Sequence, residues 1–381
     1  MKNIYKLAIT IILPLILLNT AIAAEENKLI PQNSINDENV FAKEYSNIGS
    51  CFLRLKKYHE AIENFDIAIK YDPSYASAYN SKGIALADLG KPLEAVENYD
   101  LAIKYNPSYA SAYNNKAVSY RKLGKNKEAI ILCNLAIKYN SYFAEAYNNK
   151  GASLNDLGQY KEAIENFDIA IKYRSDNPEA YYNKGIALMY LGYIQEAIQN
   201  YDIAIKYRPN YSEAYHNKGL TLAFLGQLQK TIEHFDLAIK YDPNDATAYC
   251  NKGYVLSMLK RYPEAIESCN LAIRYNPNCA EAYYRKGMIF EKLGEHKKAI
   301  ENYDIAIKYK PNFAENYLEK GISLVSLGQY SKAKENFNLA IKYNPNIIAE
   351  YEAMFKKLTE LDNFTGVKEY EQKLQILKKY S

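Results

Sequence analysis

Apolar and small residues recur along this chain with two periods at once. Over short windows they fall three or four residues apart, the spacing of one face of an α-helix. Over longer stretches the whole pattern returns. Leu55, Leu89, Leu123, Leu157, Leu191, Leu225, Leu259, Leu293 and Leu327 stand 34 residues apart, nine copies without an insertion. Tyr45, Tyr79, Tyr113, Tyr147, Tyr181, Tyr215, Tyr249, Tyr283 and Tyr317 keep the same register, as do the alanines from Ala68 to Ala340. All sixteen glycines except Gly366 fall into two columns, typified by Gly83 and Gly90. Such a chain has no glycine left for an added glycine-rich loop.

The unit Ala76 to Tyr109 shows what each column does. Tyr79, Gly83, Leu86 and Leu89 mark one face of a first helix. Gly90 ends it, because glycine enters the left-handed turn without a steric penalty. Ala95, Tyr99, Ala102 and Ile103 form the inner face of a second helix, where the alanines let the paired helices approach closely. Pro107 stops that helix. A two-helix unit cannot bury its apolar face alone, so neighbours must stack.

Tyr79, Gly83, Leu86, Ala95, Tyr99, Ala102 and Pro107, repeated at this period, resemble the tetratricopeptide signature. The resemblance covers Ala42 to Ile347, about four-fifths of the chain. It implies an all-α, right-handed α-solenoid of nine helix-turn-helix repeats, whose first helices line a concave groove for a protein or peptide. One column departs: Lys82, Lys116, Lys150, Lys184, Lys218, Lys252, Lys286 and Lys320 stand where the family usually has Leu. A lysine can bury its stem and keep its ammonium wet; the sequence does not say what that ammonium meets.

The ends differ from the repeats. Lys2 and Lys6, the apolar run Leu7 to Leu18 broken by Pro14, and Ala21-Ile22-Ala23 read as a signal peptide over 1–23. The run is shorter than the ~20 apolar residues of a membrane span, so export to the periplasm or the medium is expected, without stable membrane insertion. Residues 24–41 are polar and read as an irregular tether, 42–347 as the nine repeats, and 348–381 as a degenerate capping pair. In that pair Tyr351 and Leu361 keep their columns, while Phe355 and Val367 fill the Gly and Ala slots. Richness in Asn, Lys, Ile and Tyr suggests an AT-rich bacterial source.

Charge and chemistry narrow the function. Losing Lys2 and Lys6 lowers the formal charge from +4 to +2, which gives no electrostatic case for nucleic acid. His59, His216, His234 and His296 show no metal-ligand spacing, and there is no Cys-x-x-Cys, phosphate loop or G-x-S-x-G. Carboxylates such as Glu165, Glu233 and Glu301 recur with the repeat, whereas a catalytic pair should be singular. The expectation is therefore no catalytic residue, no metal and no cofactor. The cations from Lys70 to Lys342 that close each second helix mostly have an acid four residues earlier, as Asp66 precedes Lys70, and read as i,i+4 pairs. Of the five cysteines, Cys133 and Cys269 share a column four repeats apart; Cys250 and Cys279 share a repeat and are the one pair worth testing for a bridge.

Two features mark the first helices as a binding surface. Asn115, Asn149, Asn183, Asn217 and Asn251 form a column in consecutive repeats, with Asn47 an earlier member, and the column breaks at Ser81, Arg285 and Glu319. It resembles the asparagine ladder of the repeat region of O-GlcNAc transferases, where such amides hold a peptide backbone. An amide both donates and accepts, so a row of them suits an extended chain; the same row could instead bond to neighbouring helices. The second feature is Tyr190, Phe224 and Met258, with Met189 beside Tyr190, in a column that holds Asp88, Lys122, Asp156 and Lys292 elsewhere. A position charged in some copies is exposed in all, and contiguous exposed apolar residues mark an interaction site. The expected function is a non-enzymatic adaptor for an extended peptide or partner protein. The alternatives are a self-associating envelope assembly factor and an accessory subunit of an envelope enzyme such as a glycosyltransferase.

Overall fold

The computed structural model describes residues 35–360 and 364–380; the proposed signal segment lies outside them. These residues form helices alone, in two compact units, residues 1–149 and 150–381. The first contains α1 (Ile35–Arg54), α2 (Tyr58–Tyr71), α3 (Ala76–Asp88), α4 (Pro92–Tyr105), α5 (Ala110–Lys122), α6 (Asn126–Tyr139) and the start of α7 (Ala144–Asp156). The second continues with α8 (Tyr160–Tyr173), α9 (Pro178–Tyr190), α10 (Ile194–Tyr207), α11 (Ser212–Phe224), α12 (Leu228–Tyr241), α13 (Ala246–Met258), α14 (Tyr262–Tyr275), α15 (Ala280–Lys292), α16 (His296–Tyr309), α17 (Ala314–Ser326), α18 (Tyr330–Tyr343), α19 (Ile347–Glu360) and α20 (Phe364–Tyr380). Odd-numbered helices are the first and even-numbered the second helix of each repeat. The tether reading fails from Ile35 onward, since Ile35–Phe41 is already part of α1. The ring of Phe41 lies 5.4 Å from that of Tyr71.

In seven of the repeats the paired helices meet around one ring from the second helix, and in the other two Cys133 and Cys269 stand in its place. Tyr99, Tyr201 and Tyr303, and Phe65, Phe167, Phe235 and Phe337, are buried almost completely. Each lies against the glycine of the first helix: a Cβ placed on Gly185 would sit 2.7 Å from Cε1 of Tyr201. Glycine is required there because the ring fills the volume that any side chain would need.

The tyrosine columns close each repeat onto the turn before it. Tyr215 stacks on Tyr241 at 5.5 Å and Tyr317 on Tyr343 at 5.4 Å. Their hydroxyls donate to the carbonyls of Pro209 and Pro311 at 3.3 and 2.8 Å. Tyr79 and Tyr113 do the same in the first unit. This double use of a ring and a hydroxyl accounts for much of the tyrosine content.

The lysine column has a partner that sequence spacing did not suggest. Lys184, Lys218 and Lys320 each lie 2.6 Å from Asp168, Asp202 and Asp304, sixteen residues earlier on the preceding second helix, and Lys82 and Lys116 pair likewise with Asp66 and Asp100. The i,i+4 reading of Asp66 with Lys70 is thereby corrected: the aspartate points to the next repeat. The lysines are mostly buried and the aspartates about half exposed, so each link adds about 0.5 kcal/mol. Asn270 stands where the aspartate would pair with Lys286, and burial holds that ammonium below its ordinary value.

The turn between paired helices needs a left-handed residue. Gly192 supplies it at φ +82, whereas Lys56 and Lys260 adopt it at φ 58 and 60 without being glycine. Replacing Lys260 with Gly is expected to stabilise the chain by about 0.5–1 kcal/mol, the relief of left-handed strain less the added freedom of the unfolded chain. A lower urea midpoint would contradict this.

Candidate peptide-binding surface

The five ladder asparagines are half-buried on first helices. In the first unit the Asn115 side-chain amide donates to Oδ1 of Asn80 at 3.0 Å, and that of Asn149 to Oδ1 of Asn114 at 2.9 Å. In the second, Asn217 donates to the Tyr182 hydroxyl at 2.6 Å, and the Asn251 amide lies 3.2 Å from Nε2 of His216. The carbonyl of Asn183 accepts from the Asn155 side chain at 3.0 Å. Four of the five thus bond to the residue just before the preceding ladder position. Neighbouring-helix bonding, one of the two readings open at the level of sequence, is therefore present. In those four the bond uses one N–H of a carboxamide, a group that carries two donors and two acceptor sites.

At the two C-terminal breaks of the ladder, charged groups take over. Arg285 lies with its guanidinium 4.2 Å from the centre of the Tyr254 ring and pairs with Glu281 at 2.9 Å. Glu319 accepts two hydrogen bonds from Lys373 of α20, at 2.7 and 2.8 Å. Leu377 is fully buried beside Leu318 and Ile322, and Tyr380 stacks on Tyr330 at 5.4 Å. The last ladder position therefore lies under the C-terminal helix.

The apolar column is exposed as its charged counterparts suggest. Phe224 is 75% exposed, Tyr190 61% and Met258 52%. Tyr190 rests one face on Tyr160, ring centres 4.8 Å apart and nearly parallel, which fixes the ring and leaves the other face open. Met189 behaves differently from Tyr190. It packs on Leu188, Ala197 and Tyr201, because consecutive helical residues diverge by about 100°. Sequence reasoning missed Tyr254, half-exposed one helical turn before Met258. Its signal was present: the same slot holds Ile186, Leu220 and Met288 in the neighbouring repeats.

Among the described residues no group of three His, Cys, Asp or Glu could hold a metal ion, and no helix is long and apolar enough to cross a membrane. Cys51, Cys133, Cys250, Cys269 and Cys279 are all free thiols.

Comparisons with known proteins follow the same register. Tetratricopeptide repeat profiles match residues 42–75, 82–143, 178–211, 212–245, 246–279, 280–313 and 314–347, and a further repeat profile of this type matches 151–192. No curated protein matches the chain. Similar solved structures include MamA, 22% identical over 45% of this chain and 94% of its own, with a TM-score of 0.38. YrrB, described as a protein of this repeat type with an unusual peptide-binding site, is 25% identical over 48% of this chain and 95% of its own, with a TM-score of 0.37. PilF of Pseudomonas aeruginosa is 16% identical over 54% of this chain and 94% of its own, with a TM-score of 0.48. With a helical pair at each repeat and family profiles over most of its length, the chain belongs to the tetratricopeptide repeat family.

Proposed function

We propose that this protein is an exported, non-enzymatic adaptor that holds an extended peptide or an unstructured partner segment. The observation that carries the reading is the row Tyr190, Phe224 and Met258, three large apolar side chains more than half exposed at one position of successive repeats. Burying such residues on a partner is favourable at roughly 25 cal/mol per Å², and aromatic and methionine side chains are frequent anchors. The ladder amides of Asn183, Asn217 and Asn251 in the same unit supply the polar complement. A carboxamide both donates and accepts, as a peptide backbone does along its length, which favours grip without side-chain reading. The basic start, short apolar run and Ala21-Ile22-Ala23 of the first residues support export, and leave periplasm and medium as equal destinations.

A displayed library of random twelve-residue peptides selected on the chain from Ala24 tests the ladder. Selected peptides should bind a variant with Asn183, Asn217 and Asn251 changed to Ala about 10-fold or more weaker, since each lost backbone bond contributes ~0.5–1.5 kcal/mol. Equal affinity for both chains would make the asparagines purely inter-repeat linkers.

A further inference from the structure

One pair of positions, 29 residues apart, meets at each repeat junction of the second unit. The first lies in the first turns of a first helix; the second is the residue just before the next first helix. At one junction Tyr182 and Tyr211 place their rings 5.0 Å apart. At the next, His216 lies 3.5 Å from the carboxylate of Asp245, which also caps α13 through the amides of Thr247 and Ala248. Further on, Tyr284 and Phe313 meet edge to face at 5.6 Å. The junction between the last two holds Cys250 and Cys279, packed in one cluster with Ala272 and Ala282. The three other pairs named are complementary in kind, ring on ring or base on acid, and Leu318 with Ile347 at the last junction is apolar on apolar.

We infer that Cys250 and Cys279 form a reversible disulfide, made by exchange with a small-molecule disulfide of the glutathione class. The two thiols are unequal, which sets the order of events. Cys279 is half-exposed at the start of α15, while Cys250 is 2% exposed. The hydrogen bond from the Cys250 thiol, aided by the Ala282 amide, pulls the Cys279 thiol down to about 6, while the same bond and burial push Cys250 up. Cys279 is thus the attacking thiolate. Its sulfur forms a bond to one sulfur of the small disulfide, whose S–S bond breaks and releases one thiolate. Cys250 then gives up its proton and attacks the Cys279 sulfur of the mixed disulfide, expelling the second thiolate. The protein loses two electrons and two protons, and the small disulfide becomes two thiols. The bridge ties α13, which carries Asn251 and Met258, to the first residue before α15.

The test uses the full chain with exposed Cys51 changed to Ser, treated with oxidised glutathione at pH 7. Intact mass should fall by two hydrogens, and digestion should yield one peptide pair joined through Cys250 and Cys279. A lasting glutathione adduct on Cys279, or a bridge to Cys269 or Cys133, would overturn the inference. A Cys250→Ala change in the same background, which removes the donor as well as the thiol, should leave the adduct trapped. It should also move the half-maximal pH of Cys279 alkylation from about 6 toward the ordinary ~8.5. An unmoved profile with no trapped adduct would equally refute the pairing, and the first measurement needs no substitution at the pair.

Discussion

Changing Lys373 to Met destabilises the docking of the C-terminal helix by about 3–5 kcal/mol, the usual cost of removing one member of a buried ion pair. Its partner Glu319 is 2% exposed and Lys373 itself 11%, so water cannot replace the lost ammonium. Glu291 increases the effect. Burial first, and then the charge of Glu319, push its carboxyl from 4.5 to about 7, while Lys373 opposes them. Between those values the folded chain holds a proton that the unfolded chain has released. This group's contribution is therefore complete below about pH 4.5 and is lost as pH rises through 7. The Lys373→Met chain should lose stability more steeply over that window, and Glu291→Gln should flatten the slope and gain about 1–3 kcal/mol at pH 8. Amide exchange in α20, followed with pH, reads both effects. A second change, Glu319→Leu, should recover most of the loss in the Lys373→Met background; failure to recover would mean that Lys373 acts through packing.

Serine at Tyr190, Phe224 and Met258 together is expected to weaken a selected peptide at least 100-fold, since anchors of this kind contribute about 1–2 kcal/mol or more apiece. Helicity and melting should change little, because all three side chains are more than half exposed. Circular dichroism and titration calorimetry on the same preparations separate the outcomes. Retained affinity with unchanged helicity moves the binding site away from this row and leaves the ladder variant to be judged by itself.

The repeat, its helices and its C-terminal cap were legible because strict periodicity samples each structural position many times. The alanines of the second helices could be read as close-approach sites, though the ring pressed on Gly185 became visible only in three dimensions. Spacing misled where a side chain has two neighbours at similar reach. Asp66 lies four residues before Lys70 in sequence, yet the next repeat brings Lys82 closer. Met189 and Tyr190 are adjacent in sequence and face different surroundings, since the helix turns between them. The ladder was located by its column alone, but its bonds to Asn80, Asn114, Tyr182 and His216 involve a second column whose members vary too much to suggest a common role. That variation is itself the signature of the junction pairs, which change together and so look patternless one position at a time.

The junction pairs have a consequence for how such a chain can grow. Both members of each pair lie inside one block, Tyr182 with Tyr211 in 178–211, His216 with Asp245 in 212–245, Cys250 with Cys279 in 246–279. A duplication or loss of a whole block therefore carries its own lock and key and leaves the flanking joints chemically intact. The lysine–aspartate links tolerate the same exchange for another reason, because nearly every block offers the same two halves. Inheritance of this protein is modular at the level of the joint, and a copied 246–279 block would take its pair of sulfurs with it into any position along the array.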